Sequence, residues 1–530
     1  MHRATRFELA WSITLALSAP AFGATHVSTP AELVDAVTNG DAGDTVLVAP
    51  GTYSIGASLL PKQGMAIIGT GPGESIIRND AAIWNVGNAG LPDNAVDSNS
   101  VDRSAYLINL DNNTTGVTIA NLTLIGPELH GAIFGNNSDG LVVRDCTIDS
   151  FLWSGVRLFR VNDGAIHGNT FIDAGGRAQV TSGPTGGSIF STFHTTTDIF
   201  NNTFALSPSA PSNVFGVKGR KFNDTRIYHN TIDVSFSIEL PFENDDGVEI
   251  FANWLDGVVS IPKFAGGPTL ALGESFDIHR NYFQRTYSIE GPRNGLEVHR
   301  NLFDFQLDDD GGNLITTFGN NGSPVTPGPT AFHNNNVRNP GRGVFWSAPI
   351  YDAAEFFNNH IITNTTVTPR TEGLFGFKLN ANNDGDVPAL ATLSIRDNII
   401  EMNGLSRPLI RNSSDPAVSA VEVENNTLTN VSDTGNYANA DTGAPRGPVE
   451  PLRFRVGAER AFFVDGFSIV HVSACAIDLS GDGAADVEDL YRFNASPADV
   501  SGDGSLTPTD RQCLGASIRL GEIADALGAR

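Results

Sequence analysis

Ile227-Tyr228-His229-Asn230-Thr231-Ile232, Ile250-Phe251-Ala252-Asn253-Trp254-Leu255, Ile278-His279-Arg280-Asn281-Tyr282-Phe283 and Val298-His299-Arg300-Asn301-Leu302-Phe303 are four copies of one pattern. Each reads apolar, any, any, Asn, any, apolar. From about residue 117 the pattern recurs, its fourth position falling at Leu122, Cys146, Asn169, Asn202, Asn230, Asn253, Asn281, Asn301, Asn335, Asn359, Asn398 and Asn426. A constant short strand separated by gaps of variable length predicts stacked coils with loops of differing size, not the uniform blades of a propeller. In a stacked coil a buried Asn at each corner hydrogen-bonds the backbone and its copies above and below, which satisfies polar groups that are costly to leave unpaired. These Asn are therefore read as structural. Cys146 fills the same inward slot as a small buried hydrophobe. Ser237, Ser260 and Ser288 each lie seven residues after their Asn. That offset predicts three consecutive coils in register.

The bulk numbers agree with a repeat body. The chain has 530 residues, 56 Gly, 32 Phe, only 3 Met, and 17% charged residues. Abundant turn residues and aromatics with few charges point to an all-β protein rather than a disordered or helical one. A net charge of −26 argues against nucleic acid or an anionic membrane surface as a partner. Three Cys exclude a disulfide scaffold. Basic Arg3 and Arg6, the apolar run Leu9–Ala21 and the small residues of Ala21-Phe22-Gly23-Ala24 read as a secretory signal peptide over 1–24, too short for a membrane span. The protein is thus expected outside the cell or attached to its surface. Thr29-Pro30-Ala31-Glu32 carries a capping box with Pro at the first helical position. It predicts a short helix burying Leu33, Ala36 and Val37. Gly43–Tyr53 follows as a strand closed by Pro50-Gly51. Together they suit an end unit covering the first exposed core layer.

From these residues, 25–431 resembles a right-handed parallel β-helix of the pectate-lyase-like superfamily, with about 12 or more coils. The opening Ser28–Leu33, Gly43-Asp44-Thr45 and Pro50-Gly51-Thr52-Tyr53 is similar to the start of the chondroitinase-B and alginate-lyase family. That family's catalytic lysine and arginine motif has no match, so its site is not carried over. Residues 432–473 read as an Asp-, Gly-, Pro- and Ala-rich linker followed by a small β segment.

The tail, 474–530, holds two twelve-residue loops. Asp478, Ser480, Asp482, Asp486 and Asp489 form one set of oxygen ligands, and Asp499, Ser501, Asp503, Thr507 and Asp510 the other. Ligands at positions 1, 3, 5, 9 and 12, with Gly483 and Gly504 at position 6, match a Ca²⁺ loop of EF-hand type. Asp at position 12 and the tandem spacing resemble a type I dockerin. The resemblance implies a small α-helical module, two Ca²⁺ ions, and a cohesin-like or other cell-surface anchoring partner. Cys475 and Cys513 bracket the pair and are candidates for a disulfide clasp in an oxidising compartment. The groove of the β-helix is a candidate for a further Ca²⁺.

Two rows of residues could carry chemistry. Alternation places Asp277 with His279 and Glu297 with His299 on the outer face of the pattern strand, with His333 one coil on. An Asp beside a His is an acid/base arrangement; it is equally a solvated face of charge-balanced cross-strand pairs. The second row follows from the serine offset. It stacks Glu239, Pro262 and Glu290, with Lys263 between the two glutamates and Arg293 close by. A concentration of cations over 218–300 suggests a groove for an anionic ligand, or an ion-pair network among coils. A long groove suits a chain-like substrate. The leading expectation is a secreted lyase cleaving an acidic polysaccharide by β-elimination. Arg293 would neutralise a uronate, and Lys263 or His299 would take the proton, which for Lys263 requires a depressed pKa that its glutamate neighbours oppose. The alternatives are an inverting glycoside hydrolase using Glu239 and Glu290 and a surface-anchored scaffold without catalysis.

Overall fold

A computed structural model describes the coils and short turns of 23–431 and, beyond them, only three strands within 452–473. Outside the described residues lie 1–22, 85–102, 176–185, 208–213, 241–246, 261–275, 285–288, 291–295, 306–312, 318–329, 365–373, 378–391, 413–419, 432–451 with the expected linker, 474–530 and some shorter stretches. The expected signal peptide and both Ca²⁺ loops, with Cys475 and Cys513, fall there. The chain divides into two compact units, one of which is the coil body Gly23–Glu450. Strands Arg460–Asp465 and Ser468–Ser473, outside that body, form an antiparallel pair joined by Leu452–Val456.

The coil body is a parallel β-helix. Among the described residues its strands form three sheets of 15, 14 and 12 members, here called A, B and C, and each strand neighbours the one a full coil earlier and later. The pattern strand lies in sheet A, the two to four residues after its Asn lie in sheet B, and sheet C closes the coil. Ile227, Ile250, Ile278 and Val298 point from sheet A into one core with Ile232, Leu255, Phe283 and Phe303 from sheet B, all at most 1% exposed. Phe283 and Phe303 stack at 4.4 Å between ring centroids. Each buried side chain of this size contributes about 1.5–3 kcal/mol, repeated coil after coil.

The corner between sheets A and B explains the pattern. Its third residue adopts the left-handed conformation in every coil: His229 (φ 54°), Ala252 (53°), Arg280 (55°) and Arg300 (55°) in the centre, and Asn or Asp in most others. One such residue turns the chain and drops the next side chain, the Asn, inside. Asn253 Nδ2 donates to Ile227 O (2.8 Å) and to Asn281 Oδ1 (3.0 Å), while Asn253 Oδ1 accepts from Asn230 N (3.0 Å) and Asn230 Nδ2 (3.0 Å). The same bonds link Asn169 through to Asn426. The ladder predicted from the pattern is present, and its Asn are 0–2% exposed. Cys146 ends it as a buried free thiol whose backbone N donates to Asn169 Oδ1 (3.0 Å). Burial pushes its pKa up to about 12.

The N-terminal unit also follows its sequence. Thr29 Oγ1 accepts from Glu32 N, and Glu32 Oε2 accepts from Thr29 N, at the start of the helix Pro30–Asn39, with Leu33 and Val37 buried. The segment expected as one strand is two, Thr45–Val48 in sheet A and Gly51–Ile55 in sheet B. Pro50-Gly51 makes the corner between them.

The serine offset does not set the register. Ser260 pairs with Glu239, not with Ser237, and the pairing shifts between Phe236 and Ile238. Ser237 is the extra residue of that irregularity and is fully buried. The corner from sheet B is also one residue shorter in the next coil: Ile232 leads to Phe236, whereas Leu255 leads to Val258. The two differences together move the rung from nine residues after Asn230 to seven after Asn253.

Candidate active site

Two outward rows run along the body, one on sheet A and one on sheet C, and they differ in what they leave open. On sheet A the position two before each Asn carries His167, Phe200, Tyr228, Phe251, His279, His299, His333 and Phe357. Their rings stack face to face at 4.6–5.0 Å, with interplanar angles of 15° or less. Arg396 covers the last ring at 4.3 Å. Beside them, four before each Asn, runs a charged row. His299 Nε2 lies 2.9 Å from Asp277 Oδ1 and His333 Nε2 lies 3.1 Å from Glu297 Oε1, each reaching back one coil. Arg226 makes a two-pronged pair with Asp198.

Burial holds His279 down at about 4, against the opposing pull of Asp277. His333 is likewise lowered by burial, partly offset by its bond to Glu297. Asp277 is lowered although burial works against it, because the hydrogen bond from His299 and the nearby imidazoles outweigh that cost. The structure thus places His279, His299 and Asp277 on one face, but each hydrogen bond runs between coils, from His299 to Asp277 and from His333 to Glu297, instead of joining Asp277 to His279 and Glu297 to His299 as expected. The imidazole faces, however, are spent on one another and on Phe251. Ring stacking and cross-strand pairing account for this row, and only ring edges face outward.

Sheet C holds the other row. Its register runs Asn109, Phe134, Arg157, Phe190, Lys218, Glu239, Ser260, Glu290, Thr316, Trp346. Val156, Val217 and Ile238, which alternate with these residues, face the core. Lys218 Nζ forms a salt bridge to Glu239 Oε2 at 2.9 Å, with side chains 8% and 15% exposed, and lies 4.3 Å from the centre of the Phe215 ring. Glu239 and Glu290 occupy equivalent rungs two strands apart, with Ser260 between them.

This corrects the expected stacking. The residue between the glutamates is Ser260 rather than Pro262 and its neighbour Lys263, because of the Ser237 irregularity and the shorter corner described above. Lys263 and Arg293 themselves lie outside the described residues. Of the expected basic cluster, Arg220, Lys221, Lys263, Arg285 and Arg293 lie outside the described residues, and the four described members stand on different parts of the coil. Arg226 is on sheet A, Arg280 and Arg300 stand at the corners between A and B, and Lys218 is on sheet C. Successive positions along a coil go to different faces of a three-sided body, so closeness in sequence is not closeness in space. Sequence reasoning missed Lys218 as the partner of Glu239, and it missed Arg157. The alternation Val156, Arg157, Leu158, Phe159 held the signal for Arg157, since two core residues bracket it.

No group of three or more His, Cys, Asp or Glu able to hold a metal ion occurs among the described residues, and no described helix is long and apolar enough to cross a membrane. No family model and no curated protein matches the chain. Solved structures with a similar trace include PfbA, a surface adhesin of Streptococcus pneumoniae, at 12% identity over 84% of this chain and 94% of that one, with a TM-score of 0.39. The tailspike protein of E. coli bacteriophage HK620 in complex with a pentasaccharide is similar at 11% identity over 81% and 78%, with a TM-score of 0.49. The catalytic domain of a GH87 alpha-1,3-glucanase in complex with nigerose is similar at 12% identity over 76% and 69%, with a TM-score of 0.37. Likenesses of this grade say nothing of what this chain acts on. The parallel β-helix follows from the sheet topology by itself.

Proposed function

We propose that the β-helix body is a polysaccharide-cleaving enzyme that works by hydrolysis on the outer face of sheet C, with Glu239 and Glu290 as its carboxylate pair. The observation that carries this reading is their register: equivalent rungs, two strands apart, separated by the small Ser260. Two strand spacings put the backbones about 10 Å apart. Inverting glycosidases hold their carboxyl groups about 6.5–9.5 Å apart, leaving room for a water. Lys218 is salt-bridged to Glu239, which fixes that carboxylate in place and suits it to the general base. Glu239 takes a proton from the water that attacks the anomeric carbon, and Glu290 gives one to the departing glycosidic oxygen.

β-Elimination has less support. Lys218 is occupied by its salt bridge to Glu239, and the described Arg226, Arg280 and Arg300 stand away from sheet C. Glu239→Gln and Glu290→Gln should each lower turnover by at least ~100-fold with the fold intact, the lower range for losing a proton-transfer group. Products with an unsaturated sugar end, or near-normal rates in both variants, would sink the hydrolytic reading.

The leader and the tail complete the proposal. Export through residues 1–24 and anchoring through the two Ca²⁺ loops, Asp478–Asp489 and Asp499–Asp510, would place the enzyme at a cell surface with a cohesin-like partner. Calorimetry of the full chain should show heat of Ca²⁺ binding that disappears in an Asp478→Ala, Asp499→Ala double variant.

A further inference from the structure

We propose that two copies of the chain associate through the outer face of sheet A, side by side about a two-fold axis parallel to their coils. The inference does not rest on the hydrolytic reading, since sheet C lies outside the contact.

The argument starts from two cations that their own chain leaves unmatched. Arg280 and Arg300 stand exposed at the corner between sheets A and B. Neither guanidinium has a hydrogen-bond or ion-pair partner among the described residues, although the chain carries a net charge of −26. In the same two coils Asp277 and Glu297 lie three residues earlier, with side chains 36% and 51% exposed. Three residues of strand span about 10 Å, and the rings of His279 and His299 stand in between. Acid row and Arg row therefore flank the ring row and do not meet within one copy. The other cations of this face are paired in their own chain: Arg144 with Asp145, Arg226 with Asp198, and Arg396 with Glu355 and Asp397.

A two-fold axis brings the two rows together. Turning a second copy by half a revolution about an axis parallel to the coils lays sheet A on sheet A, with strands opposed and coils level. The acid row of each copy then covers the Arg row of the other, Asp277 against Arg280 and Glu297 against Arg300. Each contact occurs twice, as an isologous interface requires. Along the axis like meets like. Ring edges face ring edges, and the part-exposed Leu47, Ile68, Val142 and Ala165 of the first coils face their copies. The other face-to-face two-fold, across the coils, sets acid row on acid row and is disfavoured. The face is also open and large enough. Of the residues pointing outward from the strands of sheet A, only Ala120 is buried. Fifteen strands give about 65 Å of length and four residues about 13 Å of width, close to the ~800 Å² per partner of a standard interface.

The test is sedimentation equilibrium of the purified full-length protein. Wild type should show twice the mass of one chain at micromolar concentration. Glu297→Arg and Arg300→Glu each set like charges in contact at two symmetric points and should weaken the dimer at least ~10-fold. An equimolar mixture of these two variants should recover it, and so should the two changes in one chain. Arg280→Glu combined with Arg300→Glu leaves the bonds of Asp277 and Glu297 to their histidines intact and should also be monomeric, with the melting temperature of wild type. A monomeric wild type, a dimer that ignores the double Arg change, or a mixture of folded single variants that stays monomeric would each overturn the proposal.

Discussion

Replacing His279 by Phe should make the protein less sensitive to acid without disturbing the fold. The row already carries Phe200, Phe251 and Phe357 at equivalent rungs, so a Phe ring continues the stack, and Asp277 keeps its bond to His299. Burial lowers His279 from 6.5 to about 4. Below about pH 6.5 the unfolded chain therefore takes up a proton that the folded chain refuses. Stability is full above 6.5, falls as the pH drops, and levels off below about 4. Between pH 7 and about 4.5 this one group removes about 2 kcal/mol, at about 1.4 kcal/mol per pH unit over most of that range. The lowered carboxyl of Asp277 and the lowered His333 act in the same direction, but they are present in both proteins and largely cancel in the comparison. Urea denaturation of wild type and His279→Phe at the two pH values gives the difference directly. The variant should lose about 2 kcal/mol less on acidification. An equal loss in both proteins would show that His279 is not held neutral by the stack, and the reasoning about that face would fail.

Asn253→Ala removes the donors to Ile227 O and Asn281 Oδ1 and leaves Asn230 N unmet; it should cost about 1–3 kcal/mol, and a melting temperature equal to wild type would count against a structural ladder. Ala252→Gly should stabilise by about 1 kcal/mol, because a left-handed φ of 53° strains an L-residue and not a glycine, and a denaturation midpoint that falls would contradict this account of the corner. Lys218→Met, which removes the ammonium from Glu239 but keeps much of the packing on Phe215, should lower kcat far more than it raises KM; the reverse split would mean that Lys218 serves binding and not the placement of the carboxylate. Chelating Ca²⁺ from the full chain should abolish attachment to a cohesin-like partner while leaving cleavage unchanged, and lost cleavage would place a Ca²⁺ in the groove instead.

Much of the coil body is legible in the chain. The Asn at the corner, the apolar residues on either side and the capped N-terminal helix are each dictated by local chemistry, and each stands where the sequence places it. The left-handed residue before each Asn was readable too, since Asn, Asp or Gly fills that place in most coils; the central His229, Ala252, Arg280 and Arg300 hide it. What the sequence conceals is the bookkeeping between sheets B and C. Nothing local marks Ser237 as an extra residue, and nothing marks the corner after Leu255 as one residue shorter. An error of two residues there exchanges Ser260 for Pro262 and removes Lys263 from the rung. The His279 and His299 row was legible because it lies within the repeated pattern, only two residues from the Asn that fixes its register.

The Asn ladder has a consequence for how such a chain changes length. Each Asn bonds only to the rungs directly above and below, at separations in sequence from 20 to 39 residues. Between one rung and the next, insertions of any size leave the corner untouched if they fall in a loop. A duplication or deletion running from one Asn to the next, such as Asn230 to Asn253, restores the same bonds with new partners. Removal of half a coil leaves a strand in the wrong sheet and an Asn facing solvent. The body can therefore grow or shrink by whole coils, and each such step changes how far the rungs before it lie from those after it.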